Sequence, residues 1–348
     1  MTRPKHPYPP ETEEALLQIY RPYMTLQPFL VFQPYLSISL PINVTTPAIN
    51  TDERGYRFCY GADGRRVSYQ AFMAHRGKTG LIVGGSVPFG SATTHDRHTL
   101  NNRLNQQSGR LWWNAGVLGC NSFVEVLRYL LLKRPVDKVV SLSGVNDLYI
   151  HLGSPRRFPW NLPFEGEESF YTWNMGNTSA PLEDSPDVEA LDDFIALCHA
   201  LSPLPSAKEA LLIVESAYFR ARYAACLQAL AHYFSIMKRL CGDNFVYILN
   251  PNLLYAKTPN PEERAFFDIT LTRLPHYNLC ILSAIHTVFP HYRQDVRALA
   301  EAAGVTFLDG NDFQFSDATC FIDYYHMTDQ GFAEFTANLL QRAPHLAE

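Results

Sequence analysis

Long apolar runs are missing from this chain. The most apolar-looking stretch, Tyr223 to Met237, is interrupted by Gln228 and His232 and is too short to cross a bilayer. The opening residues, MTRPKHPYPPETEEALLQIY, have no apolar core of the kind a secretion signal needs, so the expected location is cytoplasmic. Charge of one sign is also lacking: 29 Lys+Arg stand against 34 Asp+Glu, for a formal net charge of −5. A chain this near neutrality has no reason to seek nucleic acid or an anionic membrane, and no like-charge block reads as an interaction tail. The seven cysteines (59, 120, 198, 226, 241, 280 and 320) are scattered, without redox or metal-ligand spacing, and read as reduced, mostly buried thiols. No internal repeat is present.

What is there is the profile of a globular protein, 47% hydrophobic and 18% charged over 348 residues. Residues 1–75 carry prolines at 22, 28, 34, 41 and 47, which predict extended pieces and turns but no long helix. This segment reads as an N-terminal extension packing on a core domain at 76–348. From residue 79 the pattern alternates. TGLIVGG, LWWNAG, DKVVSLSG, NFVYILNP and VTFLD read as five short buried strands. Helices are predicted at about His98–Gln107, over FVEVLRYLLLKR, at about Ala217–Leu240, over HYRQDVRALAEAAG ending at Gly304, and over TDQGFAEFTANLLQR with Thr328 as N-cap. Strands separated by helices predict a three-layer α/β/α sandwich on a parallel sheet. Residues 151–209 interrupt this order with Pro, Gly and aromatics, then acids, and read as a lid-like insertion or binding loop.

In such sheets the ligand crevice lies beyond the carboxyl ends of the strands. The polar residues just after each strand are therefore the ones to weigh. GGS follows the first strand, NAGVLG the second and SGVND the third, while DYYH precedes the last helix. Each has a bland counterpart: a turn, a helix cap, or a chance pair. Their joint occurrence in this order is what points to chemistry.

The order GGS…NAGVLG…GVND…DYYH resembles the sequence blocks of the SGNH (GDSL-like) hydrolases, a flavodoxin-like α/β group of esterases, lipases, deacetylases and acyltransferases. The resemblance spans residues 79–345, and FIDYYHMTDQG is its most specific piece. INTDERGYRF and LNPNLLYAKTPNPEE also look like parts of bacterial members with an N-terminal extension. The resemblance implies Ser86 as nucleophile and Asp323 and His326 as its acid–base partners. It also implies an oxyanion hole from the Ser86 and Gly119 backbone N–H groups and the Asn146 side chain. Position 85 departs from the GDSL form, with Gly where that form has Asp.

The chemistry agrees with these residue types. Serine needs a base to take its proton, and imidazole suits that task near neutral pH. A carboxylate on the other ring nitrogen fixes the tautomer and stabilises the imidazolium. The function expected is hydrolysis of an acyl ester, a small acyl group on a sugar or other small molecule, through an acyl-enzyme. An acyltransferase using the same triad, and a catalytically silent binding protein on this fold, are the alternatives. No cofactor and no metal are expected; His95 and His98 in THDRH read as the start of a surface helix, since no second ligand cluster completes a shell. Asp147 reads as orienting the loop that bears Asn146. The aromatics Tyr149, Trp160 and Trp173 are candidates for a substrate wall, against the plainer reading that they form the insertion's own core. The partner expected is a small-molecule ester; the oligomeric state is open.

Overall fold

The computed structural model describes residues 7–26, 31–33, 37–39, 42–153, 186–202 and 204–348. The five apolar runs form strands β1 (Thr79–Gly84), β2 (Leu111–Asn114), β3 (Lys138–Ser143), β4 (Phe245–Leu249) and β5 (Thr306–Asp309). They pair in the order β2-β1-β3-β4-β5, and every pairing is parallel. This is the flavodoxin-like order, with its switch point between β1 and β3.

Continuous apolar runs suit strands covered on both faces, and β1 and β4 are buried at every position. The pleat then sorts their side chains into two cores. Leu81, Val83, Trp113, Val139, Phe245, Tyr247 and Leu249 point to one side. Ile82, Trp112, Val140, Leu142, Val246 and Ile248 point to the other. Each Val, Leu, Ile or Phe among them, fully buried, contributes roughly 1.5–3 kcal/mol over an exposed one.

The helices that matter to the site are α1 (Pro10–Leu26), α2 (Ser86–Phe89), α3 (Leu100–Gln107), α4 (Ser122–Leu131), α5 (Val145–Gly153), α6 (Ala217–Cys241), α7 (Pro261–Arg273), α8 (His276–Ala302) and α9 (Asp329–Arg342). Residues of α4, α5, α6 and α8 close the first core. Leu100 and Leu104 of α3 and Phe332, Phe335 and Leu339 of α9 close the second. The result is a three-layer α/β/α sandwich. Thr328 caps α9 as its sequence suggests, its side chain accepting from the Gly331 N–H.

Two helix expectations are corrected. Residues 1–75 do hold a long helix, α1, of 17 residues. Pro10 occupies its first position, where a missing N–H costs nothing, and Pro22 lies near its end, so one interior hydrogen bond is lost and the helix survives. Leu16, 1% exposed, packs α1 onto Phe266, Ile269, Ile322 and Ala92. α8 starts at His276 rather than near His291 and carries Pro290 in its interior. Pro290 cannot donate to the carbonyl of His286, one turn back; the Tyr255 hydroxyl donates to that carbonyl instead, at 2.6 Å.

In the second half of 151–209 a helix spans Pro186–Ala200, and another, Ala207–Glu215, begins at its end and runs beyond it. Phe194 and Cys198 of the first are buried in the core, with Phe194 stacked on Tyr218 at 4.5 Å. Trp160 and Trp173 lie outside the described residues.

Candidate active site

The site is assembled where β1 and β3 end. β1 runs into Gly84, whose φ of 138° belongs to glycine; a Cβ there would sit 2.3 Å from the Leu142 carbonyl oxygen. Ser86 follows as the first residue of α2, a single turn. Its amide precedes the first intrahelical hydrogen bond and has no carbonyl one turn behind it. Gly90, at φ 84°, closes that turn by donating to the carbonyls of Ser86 and Val87.

Arg57, buried at 3% exposure, grips this turn from the N-terminal segment. Its Nε donates to Asp96 Oδ1 at 2.6 Å, Nη1 to the carbonyls of Phe89 and Gly90, and Nη2 to the Ala48 carbonyl and Thr93 Oγ1. All five guanidinium N–H groups are thereby engaged.

The turn after β2 is docked on the same element. Asn114 Nδ2 donates to the Pro88 carbonyl at 2.8 Å, and Asn114 Oδ1 accepts from the Gly116 N–H. The Val117 N–H donates to the Gly84 carbonyl at 2.9 Å. Gly119, at φ 63°, turns the chain toward Asn121, the N-cap of α4.

β3 ends at Ser143, and Gly144 at φ 104° leads into α5. Asn146 sits in the first turn, and its Nδ2 donates one hydrogen to the Cys120 carbonyl at 2.9 Å. The amide carries a second N–H. A Cβ built on Gly85 would meet Asn146 Nδ2 at 2.3 Å and the Cys120 carbonyl oxygen at 3.5 Å. The Asn146 amide and the turn after Gly119 thus lie against the backbone one residue before Ser86.

The DYYH segment folds as a tight loop in which Asp323 organises its own backbone. Asp323 Oδ1 accepts from the Tyr325 N–H at 2.9 Å and the His326 N–H at 2.8 Å. Asp323 Oδ2 is 2.7 Å from His326 Nδ1, and His326 Nε2 is 2.7 Å from Ser86 Oγ. The spacing of three lets the carboxylate cap the loop and reach the ring together.

The electrostatics follow. Burial pushes the Asp323 carboxyl up, but the His326 charge and the hydrogen bonds from His326 and Tyr20 win and lower it to about 2. Burial pulls His326 down, yet the adjoining Asp323 carboxylate outweighs this and raises its affinity for a proton. An imidazole held this way is fitted to accept a proton from Ser86 Oγ.

Asp147 is fully buried and accepts the Ser122 N–H at 2.9 Å, tying the start of α4 to the first turn of α5, beside Asn146. Burial raises its carboxyl to about 6 and that of neighbouring Glu125 to about 7. Tyr149 packs with Phe267, Leu282 and Tyr324 between helices. His98 Nδ1 pairs with Asp329 Oδ2 at 2.8 Å, and His95 Nδ1 accepts from the Arg97 N–H. Among the described residues no group of three or more His, Cys, Asp or Glu could hold a metal ion, and no helix is long and apolar enough to cross a membrane.

Two residues of the site's surroundings went unread in the sequence. Arg57 lies in INTDERGYRF, a stretch visible as a motif but without an assigned task. Tyr20, whose hydroxyl donates to Asp323 Oδ2, carries no sequence signal at all.

No protein-family model and no curated protein matches the chain. Among solved structures it is similar to the lipase/acylhydrolase from Enterococcus faecalis, at 11% identity and a TM-score of 0.37, over 78% of this chain and 97% of that one. A carbohydrate acetylesterase family member from Sinorhizobium meliloti is similar at 13% identity and a TM-score of 0.36, over 78% and 99%. A candidate GDSL-like lipase from Bacteroides ovatus is similar at 12% identity and a TM-score of 0.34, over 77% of this chain but only 53% of its own length. These likenesses are distant, and the chemistry open to this chain is read from its own site.

Proposed function

We propose that this chain is a serine esterase of the SGNH type, cleaving an acyl ester through an acyl-enzyme. The ester proposed is a small acyl group on a sugar or another small molecule. The reading is carried by one observation: a continuous path from Ser86 Oγ through His326 Nε2 and Nδ1 to Asp323 Oδ2, with 2.7 Å at each join.

In the first half-reaction His326 Nε2 takes the Ser86 proton as Oγ bonds to the ester carbonyl carbon. The carbonyl π electrons move to oxygen, and the resulting oxyanion faces the Ser86 and Gly119 N–H groups and the Asn146 amide. As the oxyanion collapses, the alkoxide leaves and receives the proton from His326. Water then repeats the sequence on the acyl-enzyme, giving the acid and free Ser86. Asp323 stays ionised throughout, holding the ring tautomer and balancing the imidazolium charge.

The test is release of p-nitrophenol from p-nitrophenyl acetate by the full chain and by Ser86→Ala. The expected result is turnover by the native protein, with acetate as product even when sugar hydroxyls are offered, and no turnover by Ser86→Ala. Full turnover by Ser86→Ala rejects the mechanism. Acetylated sugar in place of acetate replaces hydrolysis with transfer.

A further inference from the structure

We infer that Tyr20, delivered by the N-terminal helix α1, is a positioning residue that sets the basicity of the Asp323–His326 pair. The inference rests on the proposed roles of Ser86, His326 and Asp323. Its basis is how Asp323 is used up. Oδ1 accepts two backbone N–H groups of its own loop, from Tyr325 and His326. Oδ2 accepts the ring N–H of His326 and the hydroxyl of Tyr20. A carboxylate offers about four lone-pair positions, so all are engaged once Tyr20 is in place.

Tyr20 is held there by more than its own hydrogen bond. Leu16, one turn earlier, is buried against Phe266 and Ile269 of α7 and against Ile322, the residue before Asp323. Tyr8 donates to Asp268 at 2.5 Å, and Arg273 Nη2 pairs with Glu13 at 2.5 Å. Leu16 and Glu13 thus fix the helix on α7, Tyr8 ties down the residues just before it, and the phenol is the group the helix aims at the acid.

The physical consequence has a sign. A phenol O–H donating to Oδ2 draws off part of the charge that would otherwise attract the imidazolium proton. With the hydroxyl present, Asp323 is a weaker partner and His326 releases its proton at lower pH than it would beside a bare carboxylate. Removing the hydroxyl raises the proton affinity of His326. Other ionisable groups face this cluster: Tyr324 and Tyr325 on the same loop, Asp268 and Arg264 on α7, and Tyr255 from the segment after β4. His286 of α8 lies against the Tyr324 ring at 3.9 Å, and burial lowers it to about 3, so it is neutral at working pH. None of them changes when the Tyr20 hydroxyl alone is altered.

The experiment compares the pH dependence of kcat/KM for p-nitrophenyl acetate in the full chain, in Tyr20→Phe, and in a protein with a fluorinated tyrosine at position 20. The acid limb reports His326 losing its proton. It is expected to move up by about half a unit in Tyr20→Phe, with kcat lowered several-fold. It should move down with fluorotyrosine, whose more acidic hydroxyl is the stronger donor. An unmoved acid limb in both overturns the inference, even if kcat falls, because lost packing alone has no reason to shift it in opposite directions. Should Tyr20→Phe fail to fold, the nearly isosteric fluorotyrosine protein decides the point alone. A native chain with no turnover sinks the proposed function itself, whereas an active native chain with an immobile limb sinks only the role of Tyr20.

Discussion

At the scale of single residues, Gly85 shows how space, rather than backbone strain, fixes an identity. Its φ of −83° lies outside the left-handed region that favours glycine. What favours glycine is the present place of the Asn146 amide, 2.3 Å from where a Cβ would stand. The departure from Asp at this position, visible in the sequence as a mismatch with the GDSL form, therefore acquires a local reason. Gly85→Ala is predicted to fold but to push the Asn146 amide aside. The expected outcome is a loss in kcat approaching 10²–10³, the order associated with removing one oxyanion donor, with KM changed far less. Near-native kcat in a folded Gly85→Ala protein would show that Asn146 does not need its present place. Ser86, Asn146, Asp323 and His326 were legible because each follows a strand or precedes a helix whose pattern is local. Tyr20 was not, since its partner is some 300 positions away and nothing near it marks the pairing.

At the scale of elements, α4, β3 and α6 share a buried acid. Glu125 of α4 is fully buried and accepts from Ser141 Oγ of β3 and from the Tyr233 hydroxyl of α6, both at 2.6 Å. Burial, then the neighbouring Asp147 carboxylate, raise it from 4.5 to about 7. Between those values the native state holds a proton that the unfolded chain has released, so this group's contribution to stability falls as pH rises through that window. Glu125→Gln keeps a neutral acceptor for both hydroxyls and cannot ionise. Thermal unfolding of the variant should therefore gain on the native protein between about pH 4.5 and 7, by at most on the order of 3 kcal/mol, and the gap should level off above that. A gap independent of pH, or one favouring the native protein at pH 8, rejects a strained buried carboxyl.

The elements themselves were largely readable. All five strands and α6, α9 and the end of α8 follow from apolar runs and caps. The start of α8 was hidden by Pro290, because the carbonyl this proline strands is satisfied by Tyr255, a partner no local pattern announces. The helix α1 was hidden by its prolines, although Pro10 stands at the first helical position, where proline is tolerated.

At the scale of the whole molecule, the N-terminal segment grips the site at two points. Arg57 binds the carbonyls that end the Ser86 turn, and Tyr20 binds the acid behind His326. The sheet brings Ser86 and Asn146 to its switch point, and the N-terminal residues then fix the Ser86 turn and the Asp323–His326 loop from outside. Sequence patterns report the sheet well because strands and helices are local, and they report the grip poorly because its partners meet only in the folded chain. The most direct test of the central claim is covalent: treat the full chain with a fluorophosphonate near neutral pH, weigh the intact protein, and map the modified peptide. The account predicts one adduct, located on Ser86, and none on Ser86→Ala under the same conditions. An unlabelled native protein, or an adduct carried equally by Ser86→Ala, would contradict it.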